Sequence, residues 1–596
     1  MTVPERLKAL RQSMLEGGID CYIVPTADFH QSEYVGEHFK AREWLTGFTG
    51  SAGTAVVTQD QAGLWTDGRY FLAAENQLAD STVELFKMAE PGVPTIEQFI
   101  ESTLPQGGTL GFDGRSVSMG EGQLYEAVVR KKKGSIVYQH DLIDPIWHDR
   151  PTLSEEPAFM LDIKYAGESI ESKLARIREK MAEVGANTHL ITSLDDSCWL
   201  LNIRGNDIDF FPLVLCYSMV TMDRVELFIN QDKLTENVQN SLKAVGIVLR
   251  PYNEIYEVVK SLSERDVVLV DPDRMNYRLL QSLPESISVV AKMNPSVLFK
   301  AMKNPIEIEN IKVAQLKDGI AHTKYMYWLK QRVGKEQITE ISAAAKLEEL
   351  RVAQGDFIRQ SFAPITAFGE HGAIVHYSPT VDTNLELTEG SLFLSDTGAG
   401  FLEGSTDITR TIALGDIPEY MKEHFTLTLK SNLQLSQAIF LYGTNGVNLD
   451  ILARAPFWNH QLNYNHGTGH GVGYLLNIHE APTGIRWQYR PSDSHPFEDG
   501  MVITNEPGVY IEGSHGVRLE NELLVRKGIE NDYGQFMYFE TITFVPFDLD
   551  GIKPEMLTAE EKNWLNDYHQ QVYTLIAPSL TVEERDWLKE YTKGIL

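Results

Sequence analysis

Four acidic residues and one glycine-flanked histidine constrain the folding of this 596-residue chain more than any other feature. Asp396 and Asp407 form one pair, Glu506 and Glu520 form a second, and His470 lies between the pairs in the segment HGTGHGVGYLLNIHE. Carboxylate and imidazole groups suit divalent cations such as manganese, cobalt or zinc, and four carboxylates neutralise two such ions. Two metal ions that share a hydroxide are a standard apparatus for hydrolysing an amide. The fold therefore has to bring distant segments of the chain together.

Each acidic pair falls on a predicted β-hairpin. Residues 391–397 and 406–413 read as strands joined by a turn at 399–405. Residues 502–506 and 517–525 repeat this arrangement. Because antiparallel strands place side chains opposite one another, each hairpin lays its two acids across from each other.

The glycines around His470 allow the backbone to pack closely against its ring and against whatever the ring holds. They do not form a dinucleotide-binding loop, because Val472 occupies the position of the third glycine in G-x-G-x-x-G. They also argue against a helix that would make His466 a second ligand in an H-x-x-x-H pair. We expect His466 to support a ligand rather than to bind metal itself.

These segments resemble those of the pita-bread metallopeptidases, and the whole chain resembles the long, three-domain members of the aminopeptidase P (Xaa-Pro aminopeptidase) family. The resemblance rests on the motifs DTG, STDITRT, HGTGHGVG, NIHEAP, NEPG and VRLEN, in the family's order. It implies an α/β (α+β) fold with two related, creatinase-like N-terminal α/β domains before a pita-bread catalytic domain. It further implies an exopeptidase that uses a metal-bridging hydroxide to release the N-terminal residue from peptides with proline in the second position.

The resemblance also assigns roles by position. The implied ligands of two divalent ions, with manganese as the implied metal, are Asp396, Asp407 (bridging), His470, Glu506 and Glu520 (bridging). The residues implied in catalysis are His376, His479, His466, Arg518 and again Glu506. His376 and His479 would hold the developing negative charge of the scissile carbonyl and shuttle protons. Glu506 would relay the proton of the hydroxide, and Arg518 would orient ligand or substrate oxygens.

Three glutamates compete for the last ligand position. Glu512, Glu520 and Glu522 all follow Gly508, and periodicity cannot choose between Glu520 and Glu522 because they share a strand face. The resemblance of VRLEN to the family's Arg-x-Glu-Asn signature selects Glu520. Thr397 stands where the family commonly has serine, and we expect little effect from that difference.

The charge balance excludes several partners. The net charge is −30, from 53 basic and 83 acidic residues, whereas nucleic acids and anionic membranes require a basic surface. The three cysteines show no C-x-x-C spacing, so neither a disulfide framework nor a structural zinc site is predicted. The first thirty residues contain no apolar signal-peptide core, and no run of eighteen apolar residues occurs. We therefore expect a cytoplasmic protein with no membrane and no nucleic-acid partner.

The N-terminal half carries an internal repeat. Its first helix presents Leu7, Leu10, Met14 and Gly18, and 167 residues later the chain repeats the pattern with Leu174, Ile177, Met181 and Gly185. The signature Trp-Leu-x4-Gly at 44–50 recurs at 199–205, now at an offset of 155. Two copies of one α/β unit are therefore predicted. The difference of twelve residues is an insertion in the first copy at 29–41, which we hypothesise reaches a neighbouring active site.

These patterns predict three domains, at residues 1–157, 158–303 and 304–596. The segment PTLSEEP at 151–157 is the predicted linker between the two copies. Asn304, followed by proline and then by glutamate at the third helical position, marks the start of a long helix in the catalytic domain. The C-terminal residues 557–596 read as two more helices whose apolar stripe packs in the core, with a dimer contact as the alternative.

Other functions share this set of ligands. An Xaa-Pro dipeptidase (prolidase) has the same five but must also bind the carboxylate of its substrate. A methionine aminopeptidase normally lacks the duplicated N-terminal units. A non-catalytic pita-bread protein that binds peptides would have lost ligands, and all five are intact. The family implies peptide substrates with an N-terminal Xaa-Pro sequence, and a homodimer.

Overall fold

Two six-stranded sheets in the N-terminal half repeat one topology. The computed structural model describes all 596 residues, and both sheets lie in one unit, residues 1–162 with 168–297. Residues 163–167 and 298–596 form a second unit. The first copy of the repeat consists of α1 (Val3–Glu16), β1 (Cys21–Pro25), α2 (Ala41–Thr46), β2 (Thr54–Thr58), β3 (Ala62–Thr66), α3 (Phe71–Leu78), β4 (Glu84–Lys87), α4 (Ile96–Thr103), β5 (Thr109–Phe112), α5 (Met119–Lys131) and β6 (Ser135–Val137).

The second copy uses the same order of strands. Its region of the chain contains β7 (Phe159–Met160), α6 (Ile163–Ala166, in the second unit), α7 (Ile170–Glu183), β8 (Thr188–Ile191), α8 (Leu194–Leu200), β9 (Ile203–Arg204), β10 (Cys216–Thr221), β11 (Val225–Ile229), α9 (Glu236–Ala244), β12 (Ile247–Arg250), α10 (Ile255–Val258), β13 (Val267–Val270), α11 (Tyr277–Leu280) and β14 (Ser288–Ala291). The sheets run β4-β3-β2-β1-β5-β6 and β12-β11-β10-β8-β13-β14. Parallel and antiparallel pairings agree strand for strand, so the predicted duplication is confirmed.

The repeat extends to single hydrogen bonds. The Arg11 Nε donates to the carbonyl oxygen of Thr58 at 2.9 Å, and the Arg178 Nε donates to that of Thr221 at the same distance. Both bonds tie the first helix of a copy to the end of its second strand. The copies also exchange bonds reciprocally, from the Met119 N–H to the Met275 carbonyl and from the Tyr277 N–H to the Val117 carbonyl. The two copies are therefore related by a local two-fold arrangement within one unit.

The insertion in the first copy packs against the second copy. Phe29, Val35 and Phe39 are buried. The buried ring of His30 lies 2.7 Å from the Thr192 carbonyl oxygen and 2.6 Å from the Tyr252 hydroxyl, both in the second copy. These side chains serve contacts inside the unit. The hypothesis that the insertion reaches a neighbouring active site stays a prediction.

The second unit combines helices with one six-stranded sheet, two three-stranded sheets and one two-stranded ribbon. After α12 (Pro295–Ala301) its elements are α13 (Pro305–Arg332), α14 (Glu340–Val352), β15 (Phe357–Gln360), β16 (Ile365–Phe368), β17 (Ser391–Thr397), β18 (Ala399–Phe401), β19 (Gly404–Ser405), β20 (Ile408–Leu414), α15 (Glu419–Ser436), β21 (Ile439–Leu441), α16 (Gly446–Trp458), β22 (Gly469–Gly471), β23 (Glu480–Ile485), β24 (Val502–Asn505), β25 (Gly508–Ile511), β26 (His515–Arg518), β27 (Asn521–Asn531), β28 (Gly534–Thr541), α17 (Ala559–Ile576) and α18 (Val582–Tyr591). The sheets run β16-β17-β20, β21-β28-β27-β24-β22-β23, β15-β18-β19 and β25-β26. The helix pairs α13–α14 and α15–α16 each precede one acidic hairpin.

Both predicted acidic hairpins form. Strands β17 and β20 are antiparallel with Asp396 opposite Thr409, and Asp407 lies directly before β20. Strands β24 and β27 are antiparallel with Asn505 opposite Asn521. Glu506 therefore directly follows β24, and Glu520 directly precedes β27. The second unit is thus built from two similar α–β halves, each contributing one acidic pair.

The connections inside these hairpins differ from the prediction. The predicted turn at 399–405 instead forms β18 and β19, and β18 lies between β15 and β19 in a three-stranded sheet. Ala399 and Phe401 are fully buried there. Apolar side chains such as these gain free energy by leaving water, so the segment folds into a strand rather than an exposed turn. The second hairpin likewise contains a small inner ribbon, β25 with β26.

The C-terminal helices close the core of the second unit. Thr558 and Thr581 cap α17 and α18 through capping boxes, as their acidic first turns predicted. Leu565, Tyr568 and Val572 of α17 are buried, so the core interpretation of this stripe is confirmed. None of the helices combines the length and the apolar character that crossing a lipid bilayer requires.

Candidate metal centre

The fold brings His470 to the acidic residues of both hairpins. The His470 Nε2 lies 3.4 Å from the Asp407 Oδ2 and 3.8 Å from the Glu506 Oε1. Ligand atoms of Asp407, His470 and Glu520 all lie within 4.8 Å of one another. Residues that are more than a hundred positions apart in sequence therefore converge on one point.

Asp396 reaches the same site beside Arg518. Its Oδ2 accepts hydrogen bonds from the Arg518 Nε at 3.1 Å and from the Nη2 at 2.5 Å. Its Oδ1 is buried and has no hydrogen-bond partner. Arg518 thus orients one carboxylate oxygen and leaves the other available to a cation.

The negative charges of the site act on one another. Burial, followed by the charges of Asp396 and Glu506, raises the pKa of Asp407 well above its usual range. Burial, followed by the charge of Asp407, likewise raises the pKa of Glu520. Burial also raises the pKa of Glu506, although His470 opposes the shift. Carboxylates crowded in this way need nearby positive charge to remain ionised. The Asp396 Oδ1 lacks a hydrogen-bond partner, and the donor atoms of the site are carboxylate oxygens and an imidazole nitrogen. These closely spaced acidic donors suit two divalent cations.

Glycines shape the strand that carries His470. A Cβ on Gly469 would lie 1.9 Å from the Thr504 carbonyl oxygen, and a Cβ on Gly471 would lie 2.3 Å from that of Glu480. Only glycine fits such close backbone approach. The His470 Nδ1 lies 2.9 Å from the Gly471 carbonyl oxygen. Since that carbonyl can only accept, the Nδ1 carries a proton, and the Nε2 is the ring nitrogen directed at the carboxylates.

The remaining predicted catalytic residues relate to this centre in different ways. The ring of His479 lies 4.3 Å from that of His470, centroid to centroid, and is nearly perpendicular to it. The His466 Nε2 lies 2.8 Å from the Tyr510 hydroxyl, which accepts from the Arg518 Nη1 at 2.8 Å. His466 therefore reaches the centre through two intermediate side chains. His376 lies in a turn three residues beyond the 3₁₀-helix Gly369–Ala373, which packs against β17 and β26.

The three competing glutamates occupy different environments. Glu520 belongs to the convergent group, and its Oε2 accepts from the Thr409 hydroxyl at 2.6 Å. Glu522 accepts the backbone N–H of Asp407 at 2.7 Å, and burial raises its pKa to about 8. Glu512 is exposed at the end of the β25–β26 ribbon. The geometry thus gathers Glu520 with the other candidate ligands.

Comparisons with known proteins agree along the entire chain. The creatinase/prolidase N-terminal domain matches residues 6–146 and again 149–307, metallopeptidase family M24 matches 309–527, and the C-terminal region of peptidase M24 matches 535–595. Aminopeptidase P2 of Arabidopsis thaliana is 37% identical over 97% of this chain and 87% of its own length. Xaa-Pro aminopeptidase 1 of Dictyostelium discoideum is 35% identical over 97% and 94%. The chain belongs to the aminopeptidase P family.

Solved structures support this membership in the aminopeptidase P family. The X-prolyl aminopeptidase from Caenorhabditis elegans, described as a cytosolic enzyme with a di-nuclear active site, has a TM-score of 0.95, 32% identity and coverage of 100% of both chains. A prolidase from Thermococcus sibiricus covers only 64% of this chain, with a TM-score of 0.51 and 20% identity, and shows a shared fold alone. The family and the fold class predicted from the motifs are therefore confirmed.

Several polar residues of the site carry no signal in the sequence. Tyr510 joins His466 to Arg518. Lys303 is fully buried, donates to the Val472 carbonyl oxygen at 2.5 Å and forms an ion pair with Glu480, so it holds the loop that leads to His479. Neither residue belongs to a motif or a periodic pattern. The motifs and their order identify candidate ligands in the sequence. The side chains that contact and hold those ligands can be identified only in the folded structure.

Proposed function

We propose that this chain is a metal-dependent Xaa-Pro aminopeptidase, which releases the N-terminal residue from peptides with proline in the second position. The observation that carries the proposal is the convergence of buried carboxylates from two hairpins on the Nε2 of His470. Relatives named as Xaa-Pro aminopeptidases match nearly the full length of the chain. An aminopeptidase is favoured over a dipeptidase because these relatives, which are named as aminopeptidases, match nearly all of the chain at 35–37% identity.

The proposed centre has five ligands. Two divalent cations would be held by Asp396, Asp407, His470, Glu506 and Glu520. Bound divalent cations supply a nucleophile near neutral pH by lowering the pKa of water, and they polarise the scissile carbonyl. Manganese is the metal that the family resemblance favours, while the donors also suit cobalt or zinc.

The chain's own residues would position the substrate and move protons. Glu506, at the edge of the centre, would take a proton and return it to the prolyl nitrogen of the leaving peptide. His479, whose ring lies beside that of His470, and His376 would stabilise the developing negative charge of the carbonyl oxygen. Arg518, whose donors are directed at Asp396 and Tyr510, would orient a ligand rather than clamp the carboxylate of a substrate. That arrangement also favours an aminopeptidase over a prolidase.

Turnover of two matched peptides tests this proposal. The metal-free protein is incubated with Arg-Pro-Pro and with Arg-Pro, with and without added manganese, alongside Asp407→Ala. Glu512→Ala serves as the matched control, because Glu512 is an exposed acid of the same segment. We expect manganese-dependent release of arginine from the tripeptide that Asp407→Ala abolishes and Glu512→Ala retains. Cleavage of the dipeptide alone would establish a prolidase, and binding of two ions without any cleavage would establish a peptide-binding protein.

We also propose a homodimer, as the family resemblance implies, in the cytoplasm, since the similar X-prolyl aminopeptidase of Caenorhabditis elegans is described as cytosolic. Sedimentation equilibrium of the purified chain measures the assembly directly. A mass of twice 67.2 kDa is expected. A monomer at micromolar concentration would contradict the dimer.

A further inference from the structure

A buried ion pair lies behind the first acidic hairpin. Asp318 of α13 and Arg351 of α14 are 0% and 2% exposed at their side chains. The Arg351 Nε donates to the Asp318 Oδ1 at 2.8 Å, and the Nη2 donates to the Oδ2 at 3.0 Å. A two-point contact between a planar guanidinium and a carboxylate fixes the orientation of both groups.

The guanidinium of this pair also holds the chain where it leaves Asp396. The Arg351 Nη1 donates to the Gly398 carbonyl oxygen at 3.1 Å, and the Nη2 donates to the Thr397 Oγ1 at 3.0 Å. Thr397 and Gly398 are the two residues directly after Asp396. The threonine that replaces the family's common serine therefore keeps a hydroxyl in a defined role.

The carboxylate of the same pair holds the chain where it reaches Asp407. The Thr406 Oγ1 donates to the Asp318 Oδ2 at 2.5 Å, and it accepts from the Ala399 N–H at 2.9 Å. Thr406 directly precedes Asp407. One ion pair thus contacts the neighbours of both aspartates, on the two antiparallel strands that carry them.

The packing around these contacts leaves no room for adjustment. A Cβ on Gly398 would lie 1.9 Å from the Ser361 Oγ and 2.1 Å from the Thr406 carbonyl oxygen. The buried His322 ring lies 3.2 Å from the Arg351 Nη2, and burial lowers its pKa to about 3, so it stays neutral. The only charges in the network are those of the ion pair itself, and they cancel.

We infer that Asp318 and Arg351 are positioning residues that set the separation between the carboxylates of Asp396 and Asp407, and thereby the paired binding of two divalent cations. The inference rests on the proposed function, because it takes both aspartates as ligands. Neither member of the pair contacts a ligand side chain. Their effect travels through Thr397, Gly398 and Thr406.

Removing single hydroxyls tests the inference without leaving a buried charge unpaired. Thr397→Val deletes one acceptor of Arg351 and the hydroxyl that lies 3.3 Å from the His322 Nε2. Thr406→Val deletes the donor to Asp318 and the acceptor of the Ala399 N–H. Each variant changes the shape of the side chain little. Thr428→Val is the matched control, since Thr428 is also fully buried but bonds only within its own helix, to the His424 carbonyl oxygen. The readouts are calorimetric titration of the metal-free proteins with manganese and the magnetic coupling between the bound manganese ions by electron paramagnetic resonance.

We expect both site variants to bind the ions about 10- to 100-fold more weakly, the usual effect of losing a contact that orients a metal ligand. The coupled signal of two ions should weaken in favour of isolated manganese. Thr428→Val should retain the affinity and the coupled signal of the unaltered protein. The double variant Asp318→Asn/Arg351→Met, which removes both charges together, should show the same loss as the threonine variants.

Other outcomes separate this inference from the proposed function. If the threonine variants only lower the unfolding temperature and bind both ions with unchanged affinity, the ion pair merely stabilises the fold and the inference is wrong. If they lose affinity while even the unaltered protein cleaves no Xaa-Pro peptide, the positioning role stands and the proposed activity fails. If the unaltered protein does not bind two ions, both fail.

Discussion

Glu520 and Glu522 stand two residues apart, yet they serve different parts of the site. Glu520 is grouped with Asp407 and His470, whereas Glu522 accepts the backbone N–H of Asp407. A short sequence interval therefore separates a candidate ligand from a residue that supports the neighbouring backbone. Alternation along a strand could not have distinguished them, because residues two apart share a face.

At the residue scale, Glu520→Gln should lower kcat/KM by more than about 100-fold, because loss of a contact that only orients a ligand already costs about 10- to 100-fold in metal affinity or activity. The amide is neutral and binds a hard cation poorly. Glu512→Gln, which alters an exposed acid, should leave the rate within twofold of the original. Steady-state kinetics on an Xaa-Pro peptide with saturating manganese checks both. Equal rates for the original chain and Glu520→Gln would remove Glu520 from the proposed ligand set.

At the scale of elements, Glu340 at the start of α14 organises the segment that carries His376. Its Oε1 accepts from the Phe368 N–H and lies 2.8 Å from the His371 Nδ1. Its Oε2 accepts from the Tyr377 hydroxyl at 3.0 Å and from the Leu385 N–H at 2.9 Å. One buried carboxylate thus ties together residues 368–385, a segment with little regular secondary structure.

Glu340→Gln should therefore loosen this segment. In this variant an amide nitrogen takes the place of one carboxylate oxygen and faces hydrogen-bond donors, from which it cannot accept. Each lost hydrogen bond to the charged carboxylate should lower the free energy of unfolding by about 1.5–3 kcal/mol. We expect a lower midpoint of urea unfolding and a lower kcat, with metal affinity unchanged because no candidate ligand lies in the segment. The exposed Glu336→Gln is the control. A normal kcat in a destabilised Glu340→Gln protein would show that the segment has no part in catalysis.

A second contact between elements predicts a dependence on pH. The His424 Nδ1 of α15 lies 2.9 Å from the His515 Nε2 of β26. Burial lowers the pKa of His515 to about 4, and burial also lowers that of His424. The unfolded chain takes up protons below about pH 6.5, where the folded pair still excludes them, so the free energy of unfolding should fall as the pH decreases from 6.5 to 4.

His515→Asn should remove part of this dependence. Thermal unfolding of the original chain and of the variant at pH 7 and at pH 5 measures it, and the drop in unfolding temperature should be larger for the original chain. The difference should amount to at most about 1.4 kcal/mol per pH unit and per group. Parallel curves for the two proteins would mean that the histidine pair does not contribute.

At the scale of the whole molecule, the candidate ligands all lie in the second unit, residues 163–167 with 298–596. Cations that bind only the folded state stabilise it, by about 4 kcal/mol when the free ion is at 1,000 times its dissociation constant. Removing them with a chelator should therefore lower the unfolding transition of the second unit and leave that of the first unit in place. Differential scanning calorimetry with and without chelator checks this. Asp407→Ala should show no shift, and a shift confined to the first unit would place the metal elsewhere.

Local signals in the sequence were enough to predict the architecture. Apolar residues at helical spacing begin at Leu7 and again at Leu174, and a glycine follows each of the two helices. This pattern predicted a duplication, which the matching strand orders confirm. The motif order gave the family, and the acidic pairs gave both hairpins of the second unit. These features depend on periodicity and on neighbours in sequence, which a single chain displays directly. The boundaries of the three domains and the roles of the site residues stay predictions.

The family, the repeated N-terminal topology and a short set of candidate ligands could thus be recognised along the chain. The contacts that hold those ligands became apparent only in the folded protein. It supplied Tyr510 between His466 and Arg518, Lys303 beneath the loop that leads to His479, and the Asp318–Arg351 pair behind the aspartates. The physical reason is that a buried polar group needs a partner, and the partner is chosen by proximity after folding. No spacing or periodicity along the chain encodes such a choice.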